Sequence, residues 1–215
     1  MNTDVYLNPH DSALIVIDMQ NDFCHEEGAF AKRGRNYKAF QAIVPNVIAL
    51  INAARDHQVP VFLVEMRLDE STVSEALKNK KGGEWDRLVC AKDSWGAEFY
   101  QIIPQPGDYI IEKHRYSAFI GTDLDLKLRT LKRKSIILTG VVTNICVEST
   151  ARDGFMMDYN VTLVTDGCAA ETPEAHQGTI NNVDSVFGLT VTTQEVIDYW
   201  SKKKKRSDTS CSIVR

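Results

Sequence analysis

Six short runs of branched aliphatic residues recur along this chain, and their near-continuous apolarity limits its fold more than any other feature. They are ALIVID (13–18), VPVFLVEM (59–66), DYIIEK (108–113), SIILTG (135–140), NVTLVTD (160–166) and GLTVTT (188–193). A strand with one wet face alternates apolar and polar residues, whereas a strand covered on both faces does not. The runs therefore predict strands buried from both sides. Helical spacing fills the intervals at about 36–57, 122–133, 144–158, 173–184 and 194–202. In the first of these, AFQAIVPNVIALINAARDH places apolar residues on one helical face, and Pro45 within it implies a kink or a late start.

Strand alternating with helix predicts an α/β fold: a three-layer sandwich with a six-stranded, mostly parallel sheet, Rossmann-like in the order 3-2-1-4-5-6. At 215 residues the chain suits one domain, expected over 1–202. The segment 67–107 breaks the rhythm with KNKKGGEW, Trp85, Trp95 and the turn signal PQPGD. It reads equally well as a cover over a site, a contact with a partner subunit, or a solvated loop. The last stretch, 203–215, is expected to be a disordered basic tail, because the cations Lys202–Arg206 are followed by small polar residues. Acylation of Cys211 beside that basic run would anchor a chain to a membrane, but Cys211 is one place off the prenylation pattern and a solvated tail is the better reading.

A formal charge of −4 offers no basic field for nucleic acid, and no apolar run is long enough to span a bilayer. The polar start MNTDVYLNPHDS lacks a secretory pattern, so a cytoplasmic location is expected. The cysteines Cys24, Cys90, Cys146, Cys168 and Cys211 are odd in number and lack metal-type pairing, which predicts free thiols.

Ligands of open parallel sheets bind beyond the carboxyl ends of the strands, where strand order reverses. Asp18 ends the first run, Lys113 the third, and the fourth leads into TGVVTNICVESTARDG with Cys146 at a predicted helix start. An acid, an amine and a thiol together can do covalent chemistry. A helix N-terminus and a nearby ammonium both lower a thiol's pKa, and the free N–H groups of a helix start can hold an oxyanion. Taken singly, each has a plainer reading: Cys146 as a core cysteine, Asp18 as a cap, Lys113 as a surface lysine. In the expected strand order Lys113 must also reach across the second strand.

Three segments carry a resemblance to a known family: ALIVIDMQNDF (13–23), EKHRYSAFIGTDLD (112–125) and TGVVTNICVESTARDGF (139–155). In this order they resemble the isochorismatase-like cysteine hydrolases, a group that includes nicotinamidases, N-carbamoylsarcosine amidase and ureidoacrylate amidohydrolase. The resemblance extends through most of residues 10–200. It implies a catalytic triad of Asp18, Lys113 and Cys146, with Asp18 as general acid–base and Lys113 holding both partners. It also implies a cis peptide at Val141–Val142 and an oxyanion hole from the N–H groups of Val142 and Cys146. Homo-oligomers, dimers or tetramers, are common in the family.

The family's metal-dependent members carry an Asp-x-His pair after the second strand. Here that stretch is VEMRLDESTVSE, without histidine, so neither metal nor other cofactor is expected. The ureido-hydrolase branch is the nearest match in motif detail. A flat small-molecule substrate would need polar partners and an apolar wall: Gln20 and Asn144 are candidates for the first, and Phe23, Tyr116 and Phe119 for the second. Arg115 reads as a carboxylate contact or a surface ion pair. The expected activity is hydrolysis of a C–N bond in a small ureido, carbamoyl or amide compound. The alternatives are isochorismatase-type or nicotinamidase-type hydrolysis, and a non-catalytic binding protein that has kept the fold.

Overall fold

The computed structural model describes residues 2–80 and 89–211, with side chains to Lys204. Its strands are β1 (Ser12–Ile17), β2 (Val61–Met66), β3 (Tyr109–Lys113), β4 (Ser135–Val141), β5 (Asn160–Ala169) and β6 (Gly188–Val191). All pairings are parallel, in the order β3-β2-β1-β4-β5-β6. Every residue of β1, β2 and β4 is buried, as continuous apolarity in the central strands demands. The expected order is therefore the observed one, with the reversal between β1 and β4.

The helices are α1 (Thr3–Leu7), α2 (Asn21–Cys24), α3 (Ala29–Lys32), α4 (Tyr37–Ala42), α5 (Val44–Asp56), α6 (Glu75–Lys80), α7 (Leu124–Thr130), α8 (Glu148–Met156), α9 (Pro173–Asn182) and α10 (Thr193–Cys211). The single helix expected over 36–57 is two. Pro45 sits in the first turn of α5, where its missing N–H costs no hydrogen bond, and Ile43 closes α4. β5 runs past its expected end at 166 because an irregularity against β4, between Leu138 and Gly140, lets the chain resume pairing at Cys168. Asp166, inside this irregular stretch, accepts hydrogen bonds from the N–H and hydroxyl of Thr193 and so caps α10.

The chain end departs from expectation. α10 continues through the basic run to Cys211. Its Trp200 is fully buried and donates its indole N–H to the Leu7 carbonyl at 2.9 Å. Lys203 pairs with Asp4, and Lys204 donates to the Asp56 carbonyl at 3.2 Å. The first basic residues thus extend a docked helix. Residues 212–215, and Trp85 with the KGGEW segment, lie outside the described residues. Among the described residues no helix is long and apolar enough to cross a membrane.

Gly140 joins the fold to the site. Its φ is +113°, and a Cβ there would stand 2.1 Å from the Ile17 carbonyl of the neighbouring strand. Any side chain would strain the backbone and push β4 away from β1. Gly140→Ala is expected to cost about 2 kcal/mol or more of folding stability. A chemical-denaturation midpoint equal to the parent's would show that the two strands can absorb the methyl group.

Candidate active site

β1, β3 and β4 end on the same edge of the sheet, and each delivers one reactive side chain. Asp18 leaves β1 in the left-handed region, φ +52°, with its N–H donated to the Val64 carbonyl at 3.0 Å. Lys113 is the last residue of β3, in register with Met66 of β2. Its side chain is wholly buried and crosses over β2, placing Nζ 2.8 Å from Asp18 Oδ2. The same ammonium donates to Cys146 Sγ at 3.5 Å and to the Arg115 carbonyl at 3.0 Å. The reach across the second strand is made by the length of the lysine arm.

Past β4 the Val141–Val142 peptide is cis, and residues Thr143–Val147 form a wide π-helical turn that runs into α8. Cys146 therefore lies within this turn, five per cent exposed, rather than at the first residue of an α-helix. The turn is pinned from behind: Thr150 donates its hydroxyl to the Cys146 carbonyl at 2.7 Å and accepts the Ala118 N–H at 3.0 Å.

Electrostatics in this dry corner differ from the expectation of a depressed thiol pKa. Burial pushes the Cys146 thiol up to about 12; Lys113 pulls it down, but Asp18 raises it further. Burial also raises Asp18, only partly offset by the Lys113 charge. Burial alone would lower Lys113, yet the negative charge available on Asp18 and Cys146 outweighs it and holds the ammonium form. Burial thus favours the protonated sulfur, with the Asp18 carboxylate nearby.

A cavity of about 150 Å³ opens on Cys146, space comparable to that which holds benzene in an engineered protein core. Its wall is largely apolar, including Phe23, Phe30, Met66, Leu68, Tyr116 and Ile145, with Phe23 and Phe30 packed edge to face at 4.9 Å. Arg33 and Arg35 supply its charged lining, and Arg35 is ion-paired to Glu171. Of the expected substrate contacts, Phe23 and Tyr116 line this cavity and three residues do not. Gln20 is fully buried, and its amide is consumed by hydrogen bonds to Met66 and Ala97: Nε2 donates to their carbonyls at 2.9 and 2.7 Å, and Oε1 accepts the Met66 N–H at 2.9 Å. Phe119 stacks on Tyr159 in the core, with ring centroids 5.6 Å apart. Asn144 is exposed on the outer side of the turn. Arg115 spends one guanidinium nitrogen on the carbonyls of Thr72 and His114.

The excursion 67–107 borders the cavity through Leu68, Leu77 and Val89. It is fastened by Asp22, whose buried carboxylate accepts the Cys90 N–H at 2.5 Å and the Ala29 N–H at 3.0 Å. Phe30, Arg33 and Arg35 escape a reading of the sequence because residues 25–36 carry neither strand nor helix periodicity. Among the described residues no group of three His, Cys, Asp or Glu side chains is placed to hold a metal ion.

Residues 12–195 match the isochorismatase domain. The chain is 32% identical over 205 residues to the ureidoacrylate amidohydrolase RutB of Enterobacter sp. (strain 638), an alignment covering 88% of this chain and 89% of that one. Among solved structures it is similar to a cysteine hydrolase from Pseudomonas syringae pv. phaseolicola 1448A, with TM-score 0.81, 32% identity, and coverage of 91% of this chain and 94% of that one. N-carbamoylsarcosine amidase from Thermoplasma acidophilum matches with TM-score 0.70 and 28% identity, over 85% of this chain and 96% of that one.

The Asp18–Lys113 pair makes a stability prediction. Asp18→Asn leaves a buried ammonium, and Lys113→Met leaves a buried carboxylate; each is expected to cost about 3 kcal/mol. The double variant should recover most of that loss, since neither charge then remains to be solvated. Urea midpoints at neutral pH measure this, and a double variant no more stable than the weaker single would disprove the coupling.

Proposed function

The chain belongs to the isochorismatase family, and on that footing we propose that it is a metal-independent cysteine hydrolase. It would cleave a C–N bond of a small ureido, carbamoyl or amide compound through a thioester on Cys146. The observation that carries this reading is the meeting of a carboxylate, an ammonium and a thiol, each from a different strand end, beside a small apolar cavity. The substrates for which two relatives are named, ureidoacrylate and N-carbamoylsarcosine, favour the ureido and carbamoyl class.

Each step can be assigned to a side chain at hand. Asp18 takes the Cys146 proton as the sulfur attacks the carbonyl carbon, with Lys113 stabilising the developing thiolate at 3.5 Å. Negative charge moves to the carbonyl oxygen, where the N–H groups of Val142 and Cys146 are the assigned donors. As the tetrahedral intermediate collapses, the C–N bond breaks and Asp18 returns its proton to the leaving nitrogen. Water then attacks the thioester, giving its proton to Asp18. The C–S bond breaks, and the sulfur recovers that proton. The ammonium of Lys113 keeps its charge throughout.

Cys146→Ala and Cys146→Ser should each remove ammonia release from a panel of ureides, carbamoyl compounds and amides. Rapidly quenched parent enzyme should carry an acyl mass on the peptide containing Cys146; full turnover by the alanine variant would refute the covalent route. The pH profile supplies a second check. Asp18 must be deprotonated to act as base, so activity is present above its pKa and lost as pH falls through it. Because burial raises that pKa, the acid limb of kcat/KM should lie above the ~3.9 of an ordinary aspartate. A limb at the ordinary value, or one that survives in Asp18→Asn, would assign the base elsewhere.

A further inference from the structure

We propose that His176, Thr179 and Asn182 on α9 form a clamp that holds the Cys146 turn in its working shape, making them positioning residues for the oxyanion donors. The proposal rests on the hydrolase reading and extends it to a helix outside the cavity. The three residues are spaced by three along α9 and so share one face. The Nδ1 atom of His176 meets the Thr143 hydroxyl at 2.9 Å. Thr179 donates its hydroxyl to Glu148 Oε2 at 2.5 Å, and Asn182 donates Nδ2–H to Glu148 Oε1 at 3.1 Å. Thr143 is the first residue of the π-helical turn and Glu148 the residue immediately after it. One helix face therefore grips both ends of the segment that carries the nucleophile.

The grip answers a local need. The turn closes a wide ring, with the Val147 N–H donated to the Val142 carbonyl at 3.3 Å, a helical form that is rare and mostly confined to single turns. Its ends are held in buried surroundings: Thr143 and Thr179 are almost wholly inaccessible, and the Glu148 carboxylate is also engaged by Arg152. None of Thr143, Glu148, His176, Thr179 and Asn182 is among the residues lining the cavity. Their effect on chemistry must pass through the backbone they hold. The sulfur has a separate support, Lys113 on β3. Loosening the clamp should then misplace the N–H donors while leaving the thiol's own reactivity nearly intact.

Two reagents separate these effects. An aldehyde that resembles the substrate adds to the thiol as a hemithioacetal and needs the N–H donors; iodoacetamide alkylates the same sulfur without them. In the full chain, His176→Ala and Thr179→Val should lower kcat about 10- to 100-fold with little change in KM, and weaken the aldehyde by a similar factor. The rate of Cys146 alkylation should stay within about twofold of the parent. His176→Asn, which keeps a polar atom near the position of Nδ1, should restore most of the lost kcat. Adding Thr143→Val to His176→Ala should cost little more, since both break one link. Unchanged kcat and aldehyde affinity would overturn the clamp. So would aldehyde binding, alkylation and the unfolding midpoint all falling together, which marks general loosening. Neither thiol reagent depends on amide turnover, so a parent enzyme without Cys146-dependent hydrolysis would sink the hydrolase reading by a different result from those that sink the clamp.

Discussion

An ammonium and a carboxylate, both shut away from water and 2.8 Å apart, are the contact on which the site depends. Each ion alone would carry a desolvation penalty of several kcal/mol. Together they form a neutral unit that the fold can bury, provided the strands bearing them end at the same level. Lys113 and Asp18 come from β3 and β1, two places apart in the sheet, a separation of roughly 10 Å between strand axes. A long, unbranched side chain lying over β2 bridges it. The sheet order is thus a requirement of the contact: with β2 absent or another strand inserted, the amine would stand too close or too far.

That requirement explains which features a reading of the residues reaches. Strand positions are legible because β1, β2 and β4 are covered on both faces and so are predominantly apolar runs. Asp18 and Lys113 are legible by position, one directly after β1 and the other at the end of β3, where a parallel sheet presents its ligands; Cys146 lies in the turn beyond β4, and the motif resemblance rather than position singles it out. Gln20, Phe119 and Asn144 mislead for one common reason: proximity along the chain to a reactive residue does not give direction in space. Gln20 lies two residues from Asp18, but its amide is turned into the fold to tie β2 to the loop at Ala97. Phe119 lies in a motif segment, and its ring stacks in the core on Tyr159. The cavity wall from Phe30 to Arg35 is the converse case. Its residues reach the site through tertiary packing alone, and no period in the sequence marks them.

The ionisation state of the sulfur was the least legible property, because the sequence shows which charges are near but not how much water is gone. A helix start and an ammonium both favour thiolate. Here the thiol lies in a wide turn in nearly complete burial, and desolvation wins, lifting it to about 12. A catalytic role for Cys146 cannot then depend on a standing population of free thiolate, which puts the burden on the proton acceptor beside it.

Asp18 is suited to that burden because of what burial does to the trio as a whole. With the proton on sulfur, the site holds an ammonium, a carboxylate and a neutral thiol. With the proton on Asp18, it holds an ammonium, a thiolate and a neutral acid. Both arrangements sum to zero charge, so moving the proton between them exchanges one buried anion for another and creates none. Desolvation raises the proton affinity of Asp18 and Cys146 alike, so its two effects oppose one another in the difference between them. The same dryness that favours a protonated sulfur therefore also strengthens the neighbouring carboxylate as a proton acceptor. Lys113, in contact with both acceptors, supplies the positive charge that each anion needs in turn.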